Sequence, residues 1–302
     1  MDTHTKKRAE SNTNQFKERT IRKFVRTSPL NRLESFGGEP IFDSPLVGFA
    51  DGADPIFEEY RKVVSELHLT PHEMLTRHLA ETLEVESSRL PDVSVISFVL
   101  PITRETCLSN TLEMEGPSLR WNHTRWNGQG FINELSKHLV SLLEGMGAYA
   151  LAPELSPFYK IAPTSDGFAA NWSQRHIAYA AGLGTFSLND GFITRKGLAM
   201  RCGSVVTNMK LEPAPRPYAN RSANCRYYAY GKCGVCIQRC PGGAISESGH
   251  DKLKCAEVLF EKQKPWLEGA YGPGYMGHYA GCGLCQTGVP CENRIPLRRS
   301  KK

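Results

Sequence analysis

CRYYAYGKCGVCIQRCP (residues 225–241) and GCGLCQTGVPC (residues 281–291), with Cys255 between them, hold eight of the ten cysteines of this 302-residue chain. The gaps run x7, x2 and x3 through Cys225, Cys233, Cys236 and Cys240, with Pro241 directly after, then x2 and x5 through Cys282, Cys285 and Cys291. Eight thiolates are the number that two [4Fe–4S] clusters require, because each cubane takes four cysteine ligands. Zinc ribbons also use C-x2-C pairs, and an even count of cysteines also suits a disulfide framework. The proline after Cys240 and the division into two sets of four favour clusters over both.

The run C-x2-C-x3-C-P from Cys233 to Pro241 is similar to the bacterial ferredoxin motif, whose last cysteine ligates the neighbouring cluster. That interleaving assigns Cys225, Cys233, Cys236 and Cys291 to one cluster, and Cys240, Cys255, Cys282 and Cys285 to the other. It also ties the end of the chain back to the start of the module. Three residues before Cys233, where the bacterial motif has its first cysteine, stands Tyr230, so Cys225 is recruited across a longer loop.

The chain is long enough to bury a sizeable core, and its length predicts one large domain beside the small cysteine module. A hydrophobic content of 40% with mixed charge is ordinary for a globular protein. No apolar run reaches the ~18 residues of a membrane span, and the most apolar, Val93 to Pro101, is strand-sized. No secretory apolar core appears near the N-terminus, and Ile21-Arg22-Lys23-Phe24 lacks the second arginine of a twin-arginine signal. The expected compartment is the reducing cytoplasm, where cysteine patterns favour metal over disulfides. The net charge of +6 gathers at the ends: residues 1–32 carry nine Lys/Arg against three acids, and Arg298, Arg299, Lys301 and Lys302 close the chain. Such ends could touch nucleic acid or an acidic electron donor, but a solvated, partly frayed terminus is the reading favoured for them.

Along the chain, Phe16, Ile21, Phe24 and Val25 line one side of a short helix before the Pro- and Gly-rich stretch that ends near Pro45. Residues 55–67 have helical apolar spacing, and Thr70-Pro71-His72-Glu73 opens a second helix with a capping box, expected to run to about Val85. Val93 to Leu100 reads as a buried strand, and Arg104 to Trp126, without clear periodicity, as a polar-aromatic loop. A helix from Phe131 to Leu143 stopped by Gly145 and Gly147, then a strand at Ala148 to Leu151, give the βαβ rhythm of a mixed or parallel sheet. Trp172 to Ala181 reads as a helix ending at Gly182, Gly184 as a point of close approach, and Gly203 to Thr207 as a β-branched strand. Cys107 and Cys202 fall outside the cysteine spacing and read as packing residues. His278 could orient the second cluster. No H-E-x-x-H, P-loop or Rossmann G-x-G-x-x-G occurs, which argues against a nucleotide-hydrolysing enzyme.

Arg175-His176, Ala181-Gly182-Leu183-Gly184, Gly203-Ser204-Val205-Val206 and the eight-cysteine module together resemble the epoxyqueuosine reductase family, which is related to the reductive dehalogenases. The likeness spans roughly residues 90 to 295 and is strongest in the cysteine module. It implies an α/β (α+β), nitroreductase-like core domain followed by a ferredoxin-like module with two [4Fe–4S] clusters. It further implies a cobalamin between them, contacted near Arg175, Gly182, Gly184, Asn189 and Ser204. His176 and Asp166 are the implied catalytic pair, Asp166 standing upstream of the A-G-L-G turn as the family's acid does, about two residues out of place; alone, Thr164-Ser165-Asp166-Gly167 reads as a turn. The family continues past its clusters into a helical-repeat region that helps hold tRNA. This sequence ends eleven residues after Cys291, so a short branch is expected and tRNA is the weaker expectation.

The resulting expectation has three parts: a basic arm over 1–45, an α/β cofactor and substrate domain over 46–215, and the cluster module over 216–302. Electrons would enter from an external low-potential donor of ferredoxin or flavodoxin type and leave toward a small molecule or modified nucleoside. A lone electron carrier needs only the ~70-residue module, and the larger preceding domain implies a bound ligand. Two rivals remain: a corrinoid-free, ferredoxin-type protein docking a partner reductase, and an RNA-binding modification factor that uses the basic ends.

Overall fold

The apolar run after Val93 becomes the strand Ser94–Pro101, all eight residues of which are buried. A strand buried on both faces needs no polar alternation. Its side chains nevertheless alternate: Ile96, Phe98 and Leu100 enter one hydrophobic cluster, and Val95 enters another on the opposite face. The computed structural model describes residues 3–84, 90, 92–165, 167–263 and 281–296, with side chains from residue 14 onward. Asp166 and His278 lie outside the described residues.

Ser94–Pro101 pairs antiparallel with Leu46–Asp51 on one side and with Met200–Thr207 on the other. Ala150–Leu151 completes the four-stranded sheet by pairing antiparallel with Met200–Thr207. Every ladder is therefore antiparallel. Ser94–Pro101 and Ala150–Leu151 run in the same direction, as the βαβ rhythm predicts, but Met200–Thr207 lies between them. The rhythm reports direction only; a strand arriving from about fifty residues downstream is invisible to it.

Helix α1 (Thr3–Thr27) and helix α5 (Leu119–Glu144) cover one face of the sheet. Ile21 and Val25 of α1 meet Phe131, Ile132, Leu135, Leu139 and Leu143 of α5 in a single core. The other face is covered by α2 (Ile56–Val63), α3 (Pro71–Thr82) and α6 (Gln174–Ala180), through Phe57, Tyr60, Met74, Leu75 and Ile177. The capping box of α3 forms: Glu73 N–H donates to Thr70 Oγ1 at 3.3 Å, and Thr70 N–H donates to Glu73 Oε2 at 2.8 Å. The expected loop from Arg104 to Trp126 is instead helix α4 (Arg104–Thr111) and the first two turns of α5. Its periodicity is hidden because this part of α5 is buried on several sides, taking in Trp121, Asn122 and Thr124. No helix among the described residues is long and apolar enough to cross a membrane.

The cysteine-bearing segment is built from three short helices, α7 (Arg226–Tyr230), α8 (Val235–Gln238) and α9 (Lys252–Glu257), and is sewn onto the larger part by polar contacts. Arg239 donates to the carbonyls of Thr287, Asn110 and Glu113 at 3.1, 3.2 and 3.0 Å. Leu198 N–H donates to Cys291 O at 2.8 Å, and Ala199 N–H to Glu292 O at 3.0 Å. Gly197 makes that seam possible: its φ is +88°, and a Cβ there would stand 2.2 Å from Glu292 O. The end of the segment is thus fixed to the larger part.

Candidate redox site

The cysteines that sequence spacing sorted into two quartets line two different voids. Cys240, Cys255, Cys282 and Cys285 share a cavity of about 480 Å³, with Pro241 on its wall. Cys225, Cys233, Cys236 and Cys291 share a much smaller void of about 20 Å³. Local structure explains the sorting. Cys225 caps α7, which ends at Gly231 in the left-handed region, so the chain doubles back and brings Cys233 toward Cys225. Along the single turn of α8 the chain then crosses from one void to the other between Cys236 and Cys240.

Electrostatics follows the same division. Burial pushes the Cys236 thiol up to about 11, with Cys225 and Cys233 adding to the shift. Burial likewise pushes Cys291 up to about 12, reinforced by Cys225, Cys236 and Cys233. In the other set, burial lifts Cys255 to about 11, reinforced by Cys282 and Cys240, and lifts Cys285 with help from Cys282, Cys255 and Cys240. Buried, mutually repelling thiols ionise when a bound cation compensates their charge. Two sulfurs also accept N–H hydrogen bonds, Cys240 from Ala244 at 3.3 Å and Cys282 from the Gln263 side chain at 3.4 Å. Among the described residues, no group of three or more His, Cys, Asp or Glu is gathered closely enough for a single metal ion. A cubane spreads its four cysteines wider than one ion does, and the donor type and number of each quartet fit that group.

Beside the 480 Å³ cavity lies a larger one of about 700 Å³, and the two share Arg175, Gly191, Met200, Arg201 and Gln286 as walls. Its volume is within the range of small-molecule sites. Arg175 stands between the two cavities and donates to the carbonyl of Asp190. Asp190 faces the larger cavity and accepts from His250, on the wall of the smaller, at 3.1 Å. Burial would raise the Asp190 carboxyl, but the His250 hydrogen bond and the Arg175 charge hold it below its ordinary value.

His176 lines the larger cavity, with Nδ1 hydrogen-bonded to Ser173 Oγ at 2.9 Å and its ring 4.5 Å from that of Phe186. Burial and the Arg175 charge push its pKa well below the ordinary imidazole value, so it is neutral. Asn189 joins the two cysteine voids, lining both, and its side-chain NH₂ donates to Cys285 O at 2.8 Å. Ser204 lines neither cavity: its hydroxyl accepts from Trp172 Nε1 at 3.0 Å and donates to Gln174 Oε1 at 2.7 Å. Gly182 and Gly184 approach the chain's own backbone, at Pro215 O and Ile193 O respectively. Trp121 lines the 480 Å³ cavity and donates to Gly281 O at 2.5 Å, while His123 packs its ring edge-on against Phe36. Cys107 is a core residue, whereas Cys202 is on the wall of the 700 Å³ cavity, its thiol pushed up to about 12 by burial. Sequence reading passed over Glu154, which lines the same cavity from the turn Pro153–Leu155. A lone acid after a short strand carries no spacing signal.

No protein-family model matches the chain. Among curated proteins, the epoxyqueuosine reductases of Bacillus anthracis and Bacillus cereus are each 30% identical to it over 120 residues, 39% of this chain and 29% of theirs. Among solved structures, a catabolic reductive dehalogenase superposes with a TM-score of 0.52 at 13% identity, covering 83% of this chain and 30% of its own. Over those 120 residues the chain is similar to the epoxyqueuosine reductases. The superposition shows a shared mixed α/β fold. An epoxyqueuosine reductase structure from Bacillus subtilis, at 16% identity and a TM-score of 0.44, covers 94% of this chain and 67% of its own. The chain spans less than a third of the length of the curated relatives it matches.

Proposed function

We propose that this chain is an iron–sulfur oxidoreductase that carries electrons from two cysteine-held clusters to a ligand in the 700 Å³ cavity. One observation carries the reading: the eight cysteines divide between two voids, and the void of the second quartet shares its walls with a cavity large enough for a cofactor or substrate. Residues 216–302 form the ferredoxin-type part of this reading, residues 46–215 the nitroreductase-like part, and residues 1–45 the basic arm. The quartets would each hold a [4Fe–4S] cluster, which supplies one-electron transfer at a potential set by burial and hydrogen bonds to sulfur. Ala244 N–H and the Gln263 amide are the donors that would tune the second quartet.

Cobalamin is the cofactor proposed for the larger cavity, and when bound it supplies a strongly reducing cobalt centre. Arg175 and His176 are the residues suited to orient it, a cation between the two cavities and a neutral imidazole, whereas Asn189 lines the two cysteine voids and not this cavity. The walls offer both apolar and polar surface, through Phe186 and Trp172 on one hand and Gln174 and Arg175 on the other. The substrate proposed is a modified nucleoside or a small molecule with a reducible C–O bond; one solved epoxyqueuosine reductase holds an epoxyqueuosine-modified tRNA stem loop. The electron source proposed is an external low-potential donor.

Protein reconstituted anaerobically with iron and sulfide is expected to bind about eight irons per chain and to retain added cobalamin through desalting. A zinc-dominated, iron-poor protein would overturn the cluster reading. Eight irons without retained cobalamin would instead support a corrinoid-free electron-transfer protein.

A further inference from the structure

We propose that Glu154 is the proton donor to substrate in the 700 Å³ cavity, standing on a wall that the Trp172–Ser204–Gln174 hydrogen-bond chain makes rigid. The inference rests on the reductive reading above. Trp172 Nε1–H donates to Ser204 Oγ at 3.0 Å and Ser204 donates to Gln174 Oε1 at 2.7 Å, which fixes Gln174 on the same cavity wall as Glu154. Trp172 and Ser204 are buried at 1% and 2% exposure, so the chain starts from fixed groups. Glu154 itself is packed among protein atoms but opens onto the cavity, as a donor must.

The charged and titratable groups around it are Arg201 and Cys202 from the strand Met200–Thr207, Arg125 from α5, and Tyr159. Burial raises the carboxyl above its ordinary range, outweighing the Arg201 charge, the Gln174 hydrogen bond and the Arg125 charge. Its proximity in turn helps lift Tyr159 to about 12, so the phenol is a poorer acid than the carboxyl. Removing an epoxide oxygen breaks two C–O bonds, forms one C=C bond and releases water, consuming two electrons and two protons. The electrons come from the external low-potential donor, one proton from Glu154, and the other from water. Water entering the cavity then reprotonates Glu154.

Two measurements on reconstituted protein test this. Infrared difference spectra between wild type and Glu154→Gln should show a protonated carboxyl band at pH 7 that shifts in D₂O, and Gln174→Leu should move its titration midpoint upward, because the lost hydrogen bond favoured the ionised form. With an epoxyqueuosine-modified stem loop as probe, Glu154→Gln should slow single turnover about 100-fold or more with unchanged probe affinity and iron content, and Glu154→Asp should recover part of the rate. A carboxyl ionised at pH 7, or a variant as fast as wild type, overturns the proposal. If wild type itself does not turn over the probe, the substrate reading fails, and the infrared band alone decides whether Glu154 brings a proton to the cavity.

Discussion

Cys225 stands eight positions before Cys233, with Tyr230 at the place where a shorter spacing would put the ligand. Its inclusion in the first quartet was legible from count alone, since eight cysteines divide into two fours only if it is used. The physical means was not legible: helix α7 and the left-handed Gly231 supply the reversal that a spacing of x7 leaves open. Cys225→Ser is expected to lower bound iron from about eight to about four per chain and leave the second cluster's absorbance intact. Loss of all iron would show that the two quartets are not independent sites. His176 and Arg175 were found from their place before a glycine turn, and both line the cavity. Ser204 was found the same way, but its hydroxyl is used inside the wall, between Trp172 and Gln174. A motif marks a position in the chain and leaves open whether its side chain faces a ligand or a neighbour.

Among the elements, α3 was readable to its first residue because Thr70, Pro71 and Glu73 encode a helix start by local hydrogen bonding and fixed φ. Replacing Thr70 with Ala removes one half of that box and should cost about 1 kcal/mol in urea unfolding. A variant as stable as wild type would mean that packing of Met74 and Leu75 alone fixes the helix start. Helix α5 shows the opposite case. Its second half follows an amphipathic pattern and was read correctly, whereas its first half carries Trp121, Asn122 and Thr124 inward because it faces both the core and the cysteine segment. Asn122 Oδ1 accepts from Gly281 N–H at 2.7 Å, so its burial depends on a segment about 160 residues away. Single-face periodicity fails wherever an element has two partners.

For the whole molecule, two buried histidines couple stability to acid. Burial lowers His68 from 6.5 to about 4, and it holds His176 low as well. In the unfolded chain both bind protons near pH 6.5, so between about pH 6.5 and 4 the unfolded state binds more protons and stability falls as pH falls. His68 alone sets an upper bound of about 3 kcal/mol on that loss. Urea midpoints between pH 7 and pH 5 should therefore drop in wild type and drop less in His68→Gln; equal slopes in the two would remove His68 as the cause. By itself the sequence determined the cysteine spacing, the capped helix, the buried strand and the family likeness, because each is written in residues close in sequence or in a fixed count. Only the tertiary structure decided that Met200–Thr207 enters the sheet between Ser94–Pro101 and Ala150–Leu151, that Gly197 and Arg239 seat the cysteine segment on the core, and that Glu154 faces the cavity beside the second quartet. Those features depend on contacts between segments distant in sequence, where the energy lies in burial and hydrogen bonding that no local pattern encodes.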